Sequence, residues 1–147
     1  MEIGKVIQSR FKNAKHKAIV NLRYTSNFIG NIQNGYMANF DLSMAQFNIL
    51  RILRGANGAI SVNQVKDRMI ERSPNTTRLM DKLIDKGLME RVRCEEDRRV
   101  VYVSITNAGL SLLSQIDVDQ ETKLDFTGNI TEEEAEILSN LLDKLRG

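Results

Sequence analysis

Residues 73–109 read SPNTTRLMDKLIDKGLMERVRCEEDRRVVYVSITNAG. Two periodicities meet in this stretch. Leu79, Met80, Leu83 and Ile84 recur at helical spacing, whereas Val101, Val103 and Ile105 alternate along one face of a strand. Ser73 before Pro74 marks a helix start, because Ser caps and Pro at the first helical position lacks an N–H that would have no partner anyway. Gly87 stops that helix, so it is expected over about 74–86. Leu88 to Cys94 alternates less cleanly, with Leu88, Val92 and Cys94 on one side and Met89, Arg91 and Arg93 on the other. The two strand-like runs, joined by EEDRR (95–99), predict a β-hairpin with its charges at the tip.

Helix starts are well marked outward from this stretch. Ser43-Met44-Ala45-Gln46, Ser61-Val62-Asn63-Gln64 and Thr131-Glu132-Glu133-Glu134 fit the capping box, in which hydroxyl and Gln or Glu side chain satisfy each other's backbone amides. They predict helices over about 44–54, 62–72 and 132–146. Thr106 caps a further one over about 107–126. A long first helix over roughly 5–34, ending at Gly35, follows from Ile3, Ile7, Phe11, Ala14, Leu22 and Ile29. The reading is of a mostly α chain with a small β-hairpin (α+β).

At 147 residues, 41% apolar and 27% charged, the chain has the size and composition of one globular domain. No window approaches the roughly 18 consecutive apolar residues of a membrane span. The charged N-terminus lacks a signal peptide's apolar core, and the one cysteine, Cys94, forms no internal disulfide. A cytoplasmic location without membrane contact is expected. Charge is unevenly spread: residues 1–40 hold six Lys/Arg against Glu2, and 110–147 hold nine Asp/Glu against three Lys/Arg. Opposite charge at opposite ends suggests that the terminal regions meet, within or between chains.

Catalytic chemistry finds little to use. His16, the only histidine, lies between Lys15 and Lys17 with no acid beside it to orient it. One His and one Cys supply no zinc site. The GANG turn at 55–58 lacks the Lys and the strand context of a phosphate loop. The chain is read as a non-enzyme with no metal and no cofactor.

Two short helices, a tight turn and a hairpin make a winged helix-turn-helix. In helix 74–86 the face opposite the apolar residues presents Pro74, Arg78, Asp81, Lys82 and Asp85, with Asn75 and Thr77 near its start. A helix in a DNA major groove reads bases with its N-terminal residues, where Asn, Thr and Arg offer directional hydrogen bonds. Arginines at a hairpin tip suit the electronegative minor groove. The expected DNA-binding set is therefore Ser61, Asn63, Ser73, Asn75, Thr76, Thr77, Arg78, Lys82, Arg98 and Arg99. Asp97 is expected to pair with an arginine and orient the wing. Glu95 and Glu96 are read as solvated.

The run DRRVVYVSITNAG resembles the wing signature of the MarR (multiple antibiotic resistance regulator) family, D-x-R followed by an apolar strand and L-T-x-x-G. Asp97 and Arg99 stand on D-x-R, Thr106 and Gly109 on T-x-x-G, and Ile105 replaces the usual Leu. DLSMAQFNILRIL is similar to the family's second helix, and SPNTTRLMDKLIDKGLMERV to its recognition helix and first wing strand. The resemblance covers about 41–109 by motif and the whole chain by helix order. It implies a homodimeric transcription regulator whose first and last helices interlock between subunits. A small ligand or oxidant often shifts the spacing of the two DNA-reading lobes in such proteins.

The expected organisation is an N-terminal dimerisation helix at 1–40, a winged helix-turn-helix at 41–109 and C-terminal dimerisation helices at 110–147. Ile7, Phe11, Ile137, Leu138, Leu141, Leu142 and Leu145 are the expected interface, since the last helix carries more apolar surface than a peripheral helix needs. Partners are then double-stranded DNA, a second copy of the chain and a small-molecule effector. Tyr36, Phe40, Met44 and Phe47 are candidates for an effector pocket; core packing is the plainer reading of such residues. The first helix has no cysteine of the oxidant-sensing kind, and Cys94 is read as a small strand residue. The leading function is a sequence-specific repressor acting on an inverted repeat. The alternative is a winged-helix module that docks protein; Asn75, Arg78, Arg98 and Arg99 weigh against it, because such a wing would carry an apolar patch.

Overall fold

The N-terminal segment forms two helices, not the single one expected over 5–34. In the computed structural model, which describes residues 1–123 and 128–147, α1 (Ile3–Val6) and α2 (Ala14–Met37) are separated by a break. Gln8 takes a left-handed conformation (φ 50°), and Asn13 restarts the helix by accepting the His16 N–H at 2.9 Å. The helical spacing of Ile7 and Phe11 spans this break: the left-handed Gln8 follows the end of α1, and the Asn13 cap begins α2 anew. Glu2 closes the hook through an ion pair with Lys17 at 2.6 Å, and Lys17 holds the Glu2 carboxyl below its ordinary pKa.

Helix α2 runs past Gly35, which meets no need for positive φ, to Met37 and a 3-10 turn at Ala38–Phe40. The stop is Asp41, in the left-handed region at φ 55°, after which the Leu42 N–H bonds back to the Met37 carbonyl at 3.2 Å. This is the C-terminal geometry expected of Gly, made here by Asp, whose short polar side chain tolerates it.

The three predicted capping boxes are all closed in both directions. Ser43 starts α3 (Met44–Ala56), Ser61 starts α4 (Val62–Arg68) and Thr131 starts α7 (Glu132–Arg146). Helix α4 ends four residues before the expected 72, because Met69 leaves it in an extended conformation with its side chain buried. Asn48 of α3 then accepts the Ile70 N–H at 3.1 Å, tying the turn of the helix-turn-helix to the helix behind it. Helix α5 (Thr76–Asp85) ends as predicted at Gly87 (φ 72°), with the Leu88 N–H bonded to the Leu83 carbonyl.

The hairpin belongs to a three-stranded antiparallel sheet in the order β1-β3-β2. Its strands are β1 (Ile60–Ser61), β2 (Met89–Val92) and β3 (Tyr102–Ile105). A two-residue strand carries no readable alternation, so β1 was not expected; Ile60 pairs with Val103 and Ser61 with Tyr102. The expected facing of β2 is reversed. Met89, at 1% exposure, points into the core with Val103, whereas Val92 is exposed. Phe47, Ile49, Leu50, Leu53, Val65, Met80 and Leu83 complete that core.

Thr106 clasps the end of the sheet. Its hydroxyl donates to the Gly87 carbonyl at 2.6 Å and accepts the Gly109 N–H at 3.2 Å, starting α6 (Asn107–Lys123). Residues 124–126 of the helix expected over 107–126 lie outside the described residues. Two compact units divide the chain, Met1–Leu113 with the winged helix and Ser114–Gly147 with the rest of α6 and all of α7.

Candidate nucleic-acid interface

The start of α5 departs from the expected Ser cap. Ser73 instead builds a turn: its hydroxyl accepts the Asn75 N–H at 3.1 Å, and its carbonyl accepts the Thr76 N–H and hydroxyl at 3.3 and 2.9 Å. Pro74 lies in this turn, and the helix proper begins at Thr76 with Asn75 at the N-cap position, where it makes no side-chain cap bond. Thr76 is only 1% exposed. Its expected role at DNA is thus corrected: the side chain faces the core, and its hydroxyl holds the turn. Asn75, Thr77, Arg78 and Lys82 are exposed, and Ser73 is half-buried.

The wing loop is organised by Asp97, although not through the arginine side chain that was expected. The Asp97 carboxylate accepts the backbone N–H of Arg99 at 2.9 Å, and its carbonyl accepts the Val100 N–H at 3.3 Å. An Asx turn of this kind fixes the backbone on which both arginines are mounted. The two arginines then part. Arg99 lines a cleft of about 290 Å³ together with Ser61, Asn63, Thr77, Asp81 and Arg91. Arg98 lines a second hollow, on the loop, with Arg93, Cys94 and Glu95. Ser61, Asn63, Thr77 and Arg99 come from three separate segments, and the fold brings them to one cleft.

Arg91 was not among the expected site residues. Its guanidinium forms an ion pair with Asp81 of α5, joining the wing strand to the helix. Asp81 therefore belongs with Thr77 and Ile84 on the side of α5 that lines the cleft, leaving Arg78, Lys82 and Asp85 as the exposed stripe. The sequence signal was present but ambiguous: Arg91 shares a β face with Met89, which the alternation had assigned outward.

The expected interface and pocket residues divide. Ile137, Leu138, Leu141 and Leu145 are 50–59% exposed in the single chain, and Leu142 is half-buried. Ile7 is half-buried. Phe11 already has partners in its own chain, edge-on against His16 at 5.9 Å and beneath the Lys17 ammonium. Of the pocket candidates, Phe47 is buried core at 3% exposure, which removes it from any open pocket wall. Tyr36 and Phe40 stack edge to face at 5.5 Å, and Met44 is half-buried beside them in sequence, its N–H bonded to Asn34. Among the described residues, no helix is long and apolar enough to cross a membrane.

A short helix, a tight turn, a second helix with a polar exposed face and an arginine-tipped hairpin define a winged helix-turn-helix protein. Comparison with known proteins narrows the class. Residues 42–101 match the model of the MarR family. The chain is 32% identical over 114 residues to the multiple antibiotic resistance protein MarR of Escherichia coli (strain K12), spanning 76% of this chain and 78% of that protein. It is 28% identical over 135 residues to the HTH-type transcriptional regulator MhqR of Bacillus subtilis (strain 168), spanning 91% of each. A mutant MarR from E. coli, crystallised in complex with operator DNA, superposes with a TM-score of 0.76 at 27% identity, covering 93% of this chain and 99% of that one. The chain belongs to the MarR family. It is a transcription regulator and not an enzyme.

Proposed function

We propose that the protein is a cytoplasmic homodimeric repressor that binds an inverted-repeat operator in double-stranded DNA. The observation that carries this reading is the shared cleft of Ser61, Asn63, Thr77 and Arg99, beside the exposed Asn75, Arg78 and Lys82 of α5. In this reading α5 enters the major groove and its first turns read base edges, while Ser61, Asn63 and Ser73 hold phosphates. Arg99 enters the adjacent minor groove, where narrow A·T-rich sequence concentrates negative potential, and Arg98 grips the backbone. The operator bound to the related E. coli MarR supports double-stranded DNA as the ligand class.

Residues 41–109 supply DNA recognition in this proposal, and 1–40 and 110–147 supply dimerisation. The exposed stripe Ile137, Leu138, Leu141 and Leu145 supports that assignment, since such a surface is costly to leave in water. Two reading helices spaced one DNA turn apart match an inverted repeat, so dimerisation and sequence recognition are one requirement. A small-molecule effector that alters this spacing would release the operator, with no cofactor involved. Selection of bound DNA from a random pool tests the proposal: an enriched inverted repeat is expected. Recovery of no preferred sequence by a folded dimer would favour the protein-docking alternative.

A further inference from the structure

Arg91 stands where the inner face of the wing strand runs out of core. Met89, two residues earlier on that face, is buried, and Arg91 pairs in register with Val103. Past Val92 and Tyr102 the ladder ends, so residues 93–101 form a loop without strand pairing. The guanidinium of Arg91 crosses to Asp81 on the wing side of α5. Both side chains are about half exposed, at 55% and 48%. A surface pair of this kind adds little to global stability. Its directional bonding still restricts how the arginine-bearing strand sits against the helix.

We infer that the Arg91–Asp81 pair is a positioning device for DNA recognition, fixing the wing against the reading helix so that Arg99 and Arg78 meet their grooves together. This rests on the reading of α5 and the wing as the DNA-contacting elements. A wing free to swing loses one groove contact whenever the other is made. The pair also occupies the carboxylate of Asp81, which lines the same cleft as Arg99 and would otherwise repel phosphate. Arg91 as a direct phosphate contact is the competing role. The two differ in sign for Asp81→Ala, which removes the accepting oxygens: a positioning pair is broken by it, whereas a phosphate-binding Arg91 is freed.

The test measures binding of the parent, Asp81→Ala, Arg91→Gln and the double variant to the selected operator and to a random-sequence duplex, at one salt concentration. Asp81→Ala is expected to weaken operator binding roughly five- to tenfold although it removes a negative charge, and the double variant to be no weaker than Arg91→Gln, since each single change breaks the same pair. The double variant has the parent's net charge, so its binding to the random duplex is expected to stay near the parent's. Tighter operator binding by Asp81→Ala, or additive effects of the two changes, would overturn the inference. A charge exchange, Asp81→Arg with Arg91→Asp, keeps the test open if a single variant folds poorly: operator affinity close to the parent's supports positioning, and affinity as weak as the broken pair's refutes it. Failure of the parent itself to bind any operator would instead remove the DNA-binding reading, a result distinct from failure of the pair.

Discussion

Asp97 offers a test in which charge and geometry predict opposite results. Its carboxylate accepts the Arg99 backbone N–H at 2.9 Å in the exposed wing loop. Asp97→Ala deletes that bond, and a hydrogen bond contributes about 0.5–1.5 kcal/mol net. If wing order is required for Arg99 to bind, that loss lowers operator affinity by up to about tenfold. Removing a negative charge near phosphates works the other way but is screened by salt at an exposed site. Asp97→Asn separates the effects, because an Asn side-chain oxygen accepts the same amide without the charge. The expected order of operator affinity is Asp97→Asn equal to or above the parent, and Asp97→Ala below it. Glu95→Ala, which removes the same charge from the same loop, serves as control and is expected to match the parent or exceed it. Titration of labelled operator at one salt concentration gives all four constants. Tighter binding by Asp97→Ala would make EEDRR a solvated acidic loop rather than an ordered wing tip. Asp97→Asn as weak as Asp97→Ala would mean that the carboxylate acts through an arginine charge and not through the turn.

Gly109→Ala is expected to destabilise the fold by at least about 1–3 kcal/mol, the usual cost of overpacking: a Cβ there would lie 2.2 Å from the Leu88 carbonyl oxygen and 2.6 Å from Ile105 Cγ1. An unchanged midpoint in denaturant titration would refute that close approach. Leu141→Asp is expected to convert the proposed dimer to monomer, since burying a carboxylate in an apolar interface costs several kcal/mol; a parent-like dimer in sedimentation velocity would remove α7 from the interface. Arg78→Ala is expected to cost about 1–3 kcal/mol on the operator and to relax base preference at one position per half-site. An equal loss on random DNA would make Arg78 a phosphate contact.

Features bonded over three or four residues were legible in the sequence. A hydroxyl and an amide three positions apart meet whatever surrounds them, so Ser43, Ser61, Thr106 and Thr131 each mark a real helix start. Gly87 and the strand containing Val103 were readable for the same local reason. The spacing that links Asp97 and Arg99 to Thr106 and Gly109 carried the family as well. Local signals failed where two of them competed: apolar spacing across residues 7–13 lost to the Asn13 cap, and Ser73 with Pro74 made a turn ahead of the helix they were expected to begin. The remaining features were decided by tertiary structure. Ile60 and Ser61 become a strand only because β3 lies beside them, and Met89 turns inward because its register with Ile105 is set by the sheet. Gly109 is required by a carbonyl twenty-one positions earlier, and Arg91 finds its acid on another element. Partners distant along the chain leave no fixed spacing to read, because their separation depends on how the intervening backbone folds.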